Sequence, residues 1–313
     1  MSAEYAIGID IGATNTKIGL VQLGDGAQLI AHQQIPSNLQ SDDPGPFLAA
    51  ACAIVDAYAR QHAPRHIGIS LCSIMNADHT GAFLSVNAPA LNHLNIQQVF
   101  AARFGCPAQV MNDVNAYALA EYHYGAGRGT GRLLCVAFGT GVAIACINMG
   151  RMIETWAGVA ADAGRIVLDP ASEIACNGGV RGSAEALCGT AHIVRLAQQR
   201  YRRTDVTARD VITAARAGSD PIAAAIIAEI GAHAGHLLAI LSPVFFPQRI
   251  VITGGSSEAG EALFRAARER YAALIGDYMA NLAMKETGIR SPVEICKGAL
   301  GPDAAILGSV LGI

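Results

Sequence analysis

Between residues 5 and 21, two β-rich runs, YAIGID and KIGLV, flank a turn of small and hydroxylated residues, IGATNT. A glycine-rich turn follows from Leu23 to Gly26, and then a third short strand, AQLIAHQQI. The pattern returns from Leu133 to Trp156, where LLCVAF and VAIACI flank GTG and NMGR turns the chain into MIETW. The same meander thus occurs twice, with its Gly/Thr turn at Gly12 and again at Gly139, which points to an internal repeat. Chance is the alternative, since glycine-containing hairpins are common. Elsewhere apolar positions recur at helical spacing and predict helices over 46–61, 97–104, about 113–124, 184–201, 221–241, 258–280 and 302–311. Strands HIGISLC, AQVMN, RIVITGG and VEICKG lie between them. Meanders feeding alternating strands and helices indicate an α/β chain of two related domains with a cleft between them.

Composition narrows the function classes. Of 313 residues, 52% are hydrophobic and 15% charged, against a usual charged share of about 25%, so the chain has ample apolar side chain for a large core. A net charge of −3 and no basic run argue against nucleic acid or an anionic membrane as partner. The uncharged stretch 133–150 is barely long enough to span a bilayer and is interrupted by Gly139, Thr140 and Gly141, so it reads as strand, turn, strand. The N-terminus has no basic segment ahead of an apolar one. The eight cysteines form no CxxC pair and most lie among apolar residues. Reduced thiols and a cytoplasmic address are therefore expected.

Three features carry candidate chemistry. Turns of small residues bring backbone N–H groups close to an anion, and threonine adds a hydroxyl donor, so the two Gly/Thr turns are candidates for gripping one polyphosphate. Neither is a Walker loop. Asp10, entering the first turn, is placed to hold Mg²⁺ through water, and Lys17 either adds a point charge or caps a strand edge. Asn112 and Asp113 stand at a strand-to-helix junction, where they read either as an N-cap or as a carboxylate base aimed at a hydroxyl. A held polyphosphate, a metal and a base are the parts a phosphoryl transfer requires.

GIDIGATNTKIGLV, MNDVNAYALAE, FGTGVAIACINMGR, RIVITGG and GPDAAILGSVLG together resemble the ROK family of sugar kinases, in order and over nearly the whole chain. The resemblance implies two actin/hexokinase-like (ribonuclease H-like) domains with mixed β-sheets flanked by helices. These would be residues 1–115, completed by a C-terminal helix at about 301–313, and a larger domain over 116–300. Family members phosphorylate a hexose or amino-sugar hydroxyl with Mg-ATP, and others are repressors with an N-terminal winged helix; with the first strand beginning by residue 6, the kinase branch is the one expected. Carried over by position, Asp113 matches the catalytic base and Asn112 a sugar ligand. Asp10, Gly12 and Thr14 match the first phosphate motif, and Gly139, Thr140 and Gly141 the second. Gly254 and Gly255 match the turn against the nucleotide, though paired glycines after a strand also serve as a plain turn. The family further suggests a homodimer.

The departures cluster in the acceptor region. Where the family carries Glu-x-Gly-His, with glutamate on sugar and histidine on zinc, this chain has Asp162, Ala163, Gly164 and Arg165. Its run from Cys176 to Glu185 keeps one of the remaining three zinc-binding cysteines, with Gly178 and Ser183 in place of the others. One thiolate cannot build a tetrahedral site, so no zinc is expected and Cys176 reads as an ordinary buried thiol. Glu185 is retained as a sugar ligand by resemblance, or as a helix-start glutamate. Asp162 is one methylene shorter than the family's glutamate. Arg165 either bridges to Asp162 or Glu185 in the metal's stead or reads an anionic or carbonyl group of an unusual acceptor. Ala90 and Leu91 stand where Asn-Leu is usual, with Asn87 and Asn92 nearby, and Ala143 and Ile144 replace glycines in the second phosphate motif. His233 and His236 have helical spacing without a carboxylate pattern, and read as structural or surface residues. An ATP-dependent kinase of a sugar-like hydroxyl accounts for most of this. A non-catalytic sugar- or nucleotide-sensing protein on the same fold is the alternative, favoured by Arg165 and opposed by the intact Asp10 and Asp113.

Overall fold

The computed structural model describes residues 3–24, 26–85, 88–282, 287–289 and 293–311. The chain forms two compact units, Met1–Gly129 with Arg151–Ala160 and Ala299–Ile313, and Thr130–Gly150 with Ala161–Gly298.

The first unit begins with the meander β1 (Glu4–Ile11), β2 (Asn15–Leu23) and β3 (Gln28–Pro36). Helix α1 (Gly45–Gln61), strand β4 (Pro64–Leu71), a small hairpin of β5 (Ile74–Met75) and β6 (Ala82–Leu84), helix α2 (Ile96–Phe104), strand β7 (Ala108–Asn112) and helix α3 (Asp113–Tyr124) follow. Its sheet runs β3-β2-β1-β4-β7, antiparallel across the meander and parallel from β1 to β7. The central strand β1 is buried on both faces, which explains its unbroken apolar reading. Ile7 and Ile9 face a core with Val55, Ile67, Ile69 and Phe100.

The second unit repeats the scheme with β8 (Arg132–Phe138) antiparallel to β9 (Val142–Asn148). The short strand β10 (Arg151–Ile153) leads out of the meander. Helices α4 (Ala184–Cys188), α5 (Thr190–Tyr201), α6 (Ala208–Ala217) and α7 (Pro221–Phe245) precede strand β11 (Arg249–Thr253). Helices α8 (Glu261–Ile275) and α9 (Tyr278–Leu282), strand β12 (Glu294–Lys297) and helix α10 (Ala304–Ser309) complete the chain. β8, β11 and β12 lie side by side in parallel. Helix α7 is long and apolar enough to cross a membrane, but 56% of its most apolar window is buried, and it packs along α8 in the manner of a core helix.

Three expectations change. The helix read over 184–201 is two helices, interrupted at Gly189, whose backbone is extended and where a Cβ would lie 2.7 Å from Glu185 O and 2.9 Å from Thr140 O. The helix read over 258–280 starts as a 3₁₀ turn and breaks at Gly260 and Gly276, both with positive φ. Helix α6 was not expected at all, although Thr207 and Asp210 form a reciprocal capping box at its start.

The boundary between the units also differs from the expected one at 115. α3 belongs with the first unit because it packs on α10, where a Cβ on Gly308 would lie 1.7 Å from Ala116 O. Only glycine allows two helices to approach so closely. Residues 151–160 return to the same unit, with Asn115 Nδ2 donating to Glu154 Oε1 at 2.6 Å and to Gly158 O at 2.9 Å.

Candidate active site

In the first unit, β1 and β7 end side by side with β4 and deliver two carboxyl groups. Asp10, at the end of β1, is in register with Lys17 on β2 and Ser70 on β4, and Ser70 Oγ donates to its Oδ1 at 2.8 Å. Burial raises the Asp10 pKa against the opposing effects of Ser70 and Lys17. Lys17 is not free for an anion: its Nζ donates to Asp303 Oδ1 at 3.0 Å and to Pro302 O at 2.7 Å, tying β2 to the start of α10.

The junction of β7 and α3 separates two roles that the sequence left merged. Asn112 is the N-cap, its Oδ1 accepting from Val114 N at 2.9 Å while its Nδ2 donates to Ser73 O at 2.8 Å. Asp113 is therefore the first helical residue, with Oδ1 on Val114 N at 2.9 Å and no ion pair among the described residues. Burial, then the charge of Asp10, push its carboxyl up to about 7 against hydrogen bonds from the Val114 N–H and the Cys72 thiol. A carboxylate poised near neutrality without a cationic partner is chemically a proton acceptor. The two carboxyls also offer the hard oxygen donors that Mg²⁺ prefers.

The first Gly/Thr turn is braced from below. Gly12 N donates to Asn15 O at 3.1 Å, Ser37 N donates to Thr14 O at 2.9 Å, and Ser37 Oγ donates to Gly12 O at 2.8 Å. Thr14 is left exposed. Ser37 was not singled out in the sequence, because nothing local links it to a turn more than twenty residues earlier. Asn92 is spent on bracing its own loop, its Oδ1 accepting from Ser85 N at 2.7 Å. Asn87 lies outside the described residues.

In the second unit, the turn Gly139–Gly141 closes with Gly139 N donating to Gly141 O at 3.0 Å, and the first N–H of α5, on Thr190, donates to Gly139 O at 2.9 Å. Gly254 lies directly over the strand entering this turn, since a Cβ there would meet Phe138 O at 2.4 Å, and its φ of +83° suits glycine. Gly255 beside it has open space where a side chain would be. Glu185, near the start of α4, reaches the same turn, its Oε2 lying 2.6 Å from where a Gly141 Cβ would stand.

Arg165 organises the altered acceptor region. Its NH1 donates to Glu185 Oε1 at 2.7 Å and to Cys176 Sγ at 2.8 Å, and its Nε stands 3.6 Å from Asp162 Oδ2. Gly178 makes room for it, because a Cβ at that position would lie 2.9 Å from the guanidinium carbon. Cys176 is consequently not the ordinary buried thiol expected. It is half-exposed, and although burial pushes its pKa up, hydrogen bonds from Ser183 and from the backbone at Val180 and Gly178, with the Arg165 charge, leave it below the ordinary thiol value. A tetrahedral zinc needs at least three nitrogen, sulfur or carboxylate ligands converging on one point, and one thiolate with a guanidinium against it does not fit that ion.

These sheets, turns and carboxyls define an actin/hexokinase-like α/β protein. The structure superimposes on a ROK family glucokinase from Streptomyces griseus in complex with glucose and AMPPNP, with a TM-score of 0.81, 25% identity and coverage of 97% of each chain. Among curated proteins, the glucokinase of Thermotoga maritima is 27% identical over 94% of this chain and 98% of its own. The DNA-binding transcriptional dual regulator NagC of Escherichia coli is 26% identical over 84% of this chain and 66% of its own. The pattern of the ROK family spans residues 6–310, and the chain belongs to that family.

Proposed function

We propose that this protein transfers the γ-phosphoryl group of ATP to a hydroxyl of a hexose, amino sugar or related polyol, with Asp113 as general base. The observation that carries this reading is the Asp113 carboxyl, at the first turn of α3 with no ion pair among the described residues and its pKa pushed up to about 7 by burial. The glucokinase relatives and the glucose and AMPPNP complex of the S. griseus structure support both the acceptor class and the donor.

The proton of the acceptor hydroxyl passes to Asp113 as its oxygen attacks the γ-phosphorus, and the bond to the β-phosphate oxygen breaks to release ADP. Asn112 keeps one amide hydrogen for an acceptor hydroxyl, and Glu185 and Asp162 supply further acceptors for sugar hydroxyls. Arg165 holds Glu185 in place, in the region where the resemblance implied a metal. Thr14, Thr140, Gly141, Gly254 and Gly255 offer backbone N–H groups and hydroxyls to the nucleotide, while Gly12 and Gly139, whose N–H groups close their own turns, keep the backbone low enough for the phosphates to approach. Asp10 would hold Mg²⁺ through water, and that ion offsets phosphate charge when bound.

The pH dependence tests the assignment. A base works ionised, so kcat/KM with a productive sugar should rise about tenfold per pH unit up to about 7 and level off above it. A profile already flat down to pH 5 removes Asp113 as the base. The second reading, a sensor that binds sugar without turnover, is favoured by the engagement of Glu185 by Arg165 and by the NagC relative. Sugar binding with no ADP formed would establish it.

A further inference from the structure

We propose that His192, Glu229 and His233 form a divalent-metal site of the zinc class, which ties α5 to α7 and braces the Gly139 turn. Glu229 and His233 are one helical turn apart on α7 and so share a face, while His192 comes from the first turn of α5. One ligand atom from each residue lies within 4.8 Å of the other two.

Among the described residues, the His192 ring makes an edge contact with the His233 ring but no side-chain hydrogen bond. Its side chain is 3% exposed, and its Nε2 stands 4.0 Å from Glu229 Oε1, beyond hydrogen bonding. Its Nδ1 is buried without a hydrogen-bond partner. A buried imidazole left in this condition costs stability, and metal ligation is one of the few things that satisfies it. Burial pushes His192 down to about 4, helped by Arg195, Arg200 and His233 and opposed by Glu229. Burial likewise lowers His233, against Glu229 and Asp169. Burial thus favours the neutral ring in both, the form that metal ligation requires.

Two imidazoles and a carboxylate with a water form a donor set that zinc accepts, and bonds of about 2.0–2.1 Å place tetrahedral ligand atoms about 3.3 Å apart. Glu229 and His233 are half-buried, so their side chains have room to draw in by that difference. Arg200 holds the other Glu229 oxygen, which orients the carboxylate as an outer partner does in metal sites. Thr190, two residues before His192, donates to Gly139 O, so an ion on His192 fixes the end of α5 that supports the second phosphate-type turn. The sequence paired His233 with His236. The carboxylate lies one turn earlier instead, and the second imidazole comes from another helix, which spacing cannot reveal.

The test uses the full chain, stripped with a chelator and titrated with Zn²⁺ against a chromogenic competitor, and separately with Co²⁺ followed by absorption. One equivalent should bind, with no sulfur-to-cobalt charge-transfer band, and should raise Tm by roughly 5 °C at saturation. His233→Ala and Glu229→Gln, both at half-buried positions, should each weaken binding by about 100-fold. Should His192→Ala fail to fold, those two variants decide the question. Unchanged affinity in both, a thiolate band with Co²⁺, or no binding at millimolar Zn²⁺ would each overturn the site.

Discussion

Asp113→Asn should lower kcat by about 10³-fold, leave ATP affinity within about twofold, and raise the thermal stability of the protein at pH 8. The two effects share one cause. Burial and the neighbouring Asp10 charge lift the folded-state pKa of Asp113 from 3.8 to about 7, so the folded protein holds that proton more tightly than the unfolded chain. The stability linked to the proton is full below about pH 4 and is lost as the pH rises through about 7. Asparagine keeps the Oδ1 that accepts from Val114 N and carries no charge, so the variant escapes that loss. Its Tm should exceed that of the parent by about 5 °C at pH 8 and converge with it near pH 4. A functional group that destabilises its own fold is a common feature of active sites. Loss of turnover with loss of stability would instead mark Asp113 as a structural residue.

Glu121→Ala should destabilise the protein by about 3 kcal/mol, measured as a fall in the urea midpoint at constant slope. Glu121 is 1% exposed, and its carboxyl collects three backbone donors. Oε2 accepts from Ala126 N at 2.7 Å and Ala299 N at 3.0 Å, and Oε1 accepts from Leu300 N at 2.9 Å. This one side chain therefore closes the end of α3 and fastens the chain as it returns to the first unit ahead of α10. Alanine strands the donors and opens a cavity. Glu121→Gln keeps a single acceptor oxygen and should cost about half as much, with earlier proteolysis at 299–303 in both variants. A change below about 0.5 kcal/mol for alanine would contradict this role.

Sequence periodicity located the repeated meander, the strand core and the β7–α3 junction because each rests on local signals: alternating apolar runs, a Gly/Thr turn, a polar pair ahead of an apolar helix. It failed where distant segments decide the outcome. The expected helix is interrupted at Gly189, where Thr140 O of the second turn comes close enough to exclude a side chain. α3 joins the first unit because Gly308, nearly two hundred residues later, lets α10 pack against it. In the candidate site Asp10, Asp113 and both turns were legible from their own residues and matched again by the resemblance, and the structure added their surroundings. The amine of Lys17 is committed to Asp303, and Ser37 supports the first turn. Arg165 illustrates the division most clearly. Its charge and fork were legible, but its choice of Glu185 and Cys176 depends on the space left by Gly178, which no local pattern announces.

The most direct test of the account is phosphoryl transfer itself. Mg-ATP is incubated with the protein and each of a panel of hexoses, amino sugars, ketoses and cyclitols, with ADP and sugar phosphate quantified together and Asp113→Asn alongside. The account predicts acceptor-dependent ADP matched one for one by a sugar phosphate and lost in the variant. ADP accompanied by free phosphate regardless of sugar, or turnover unchanged in Asp113→Asn, would contradict it.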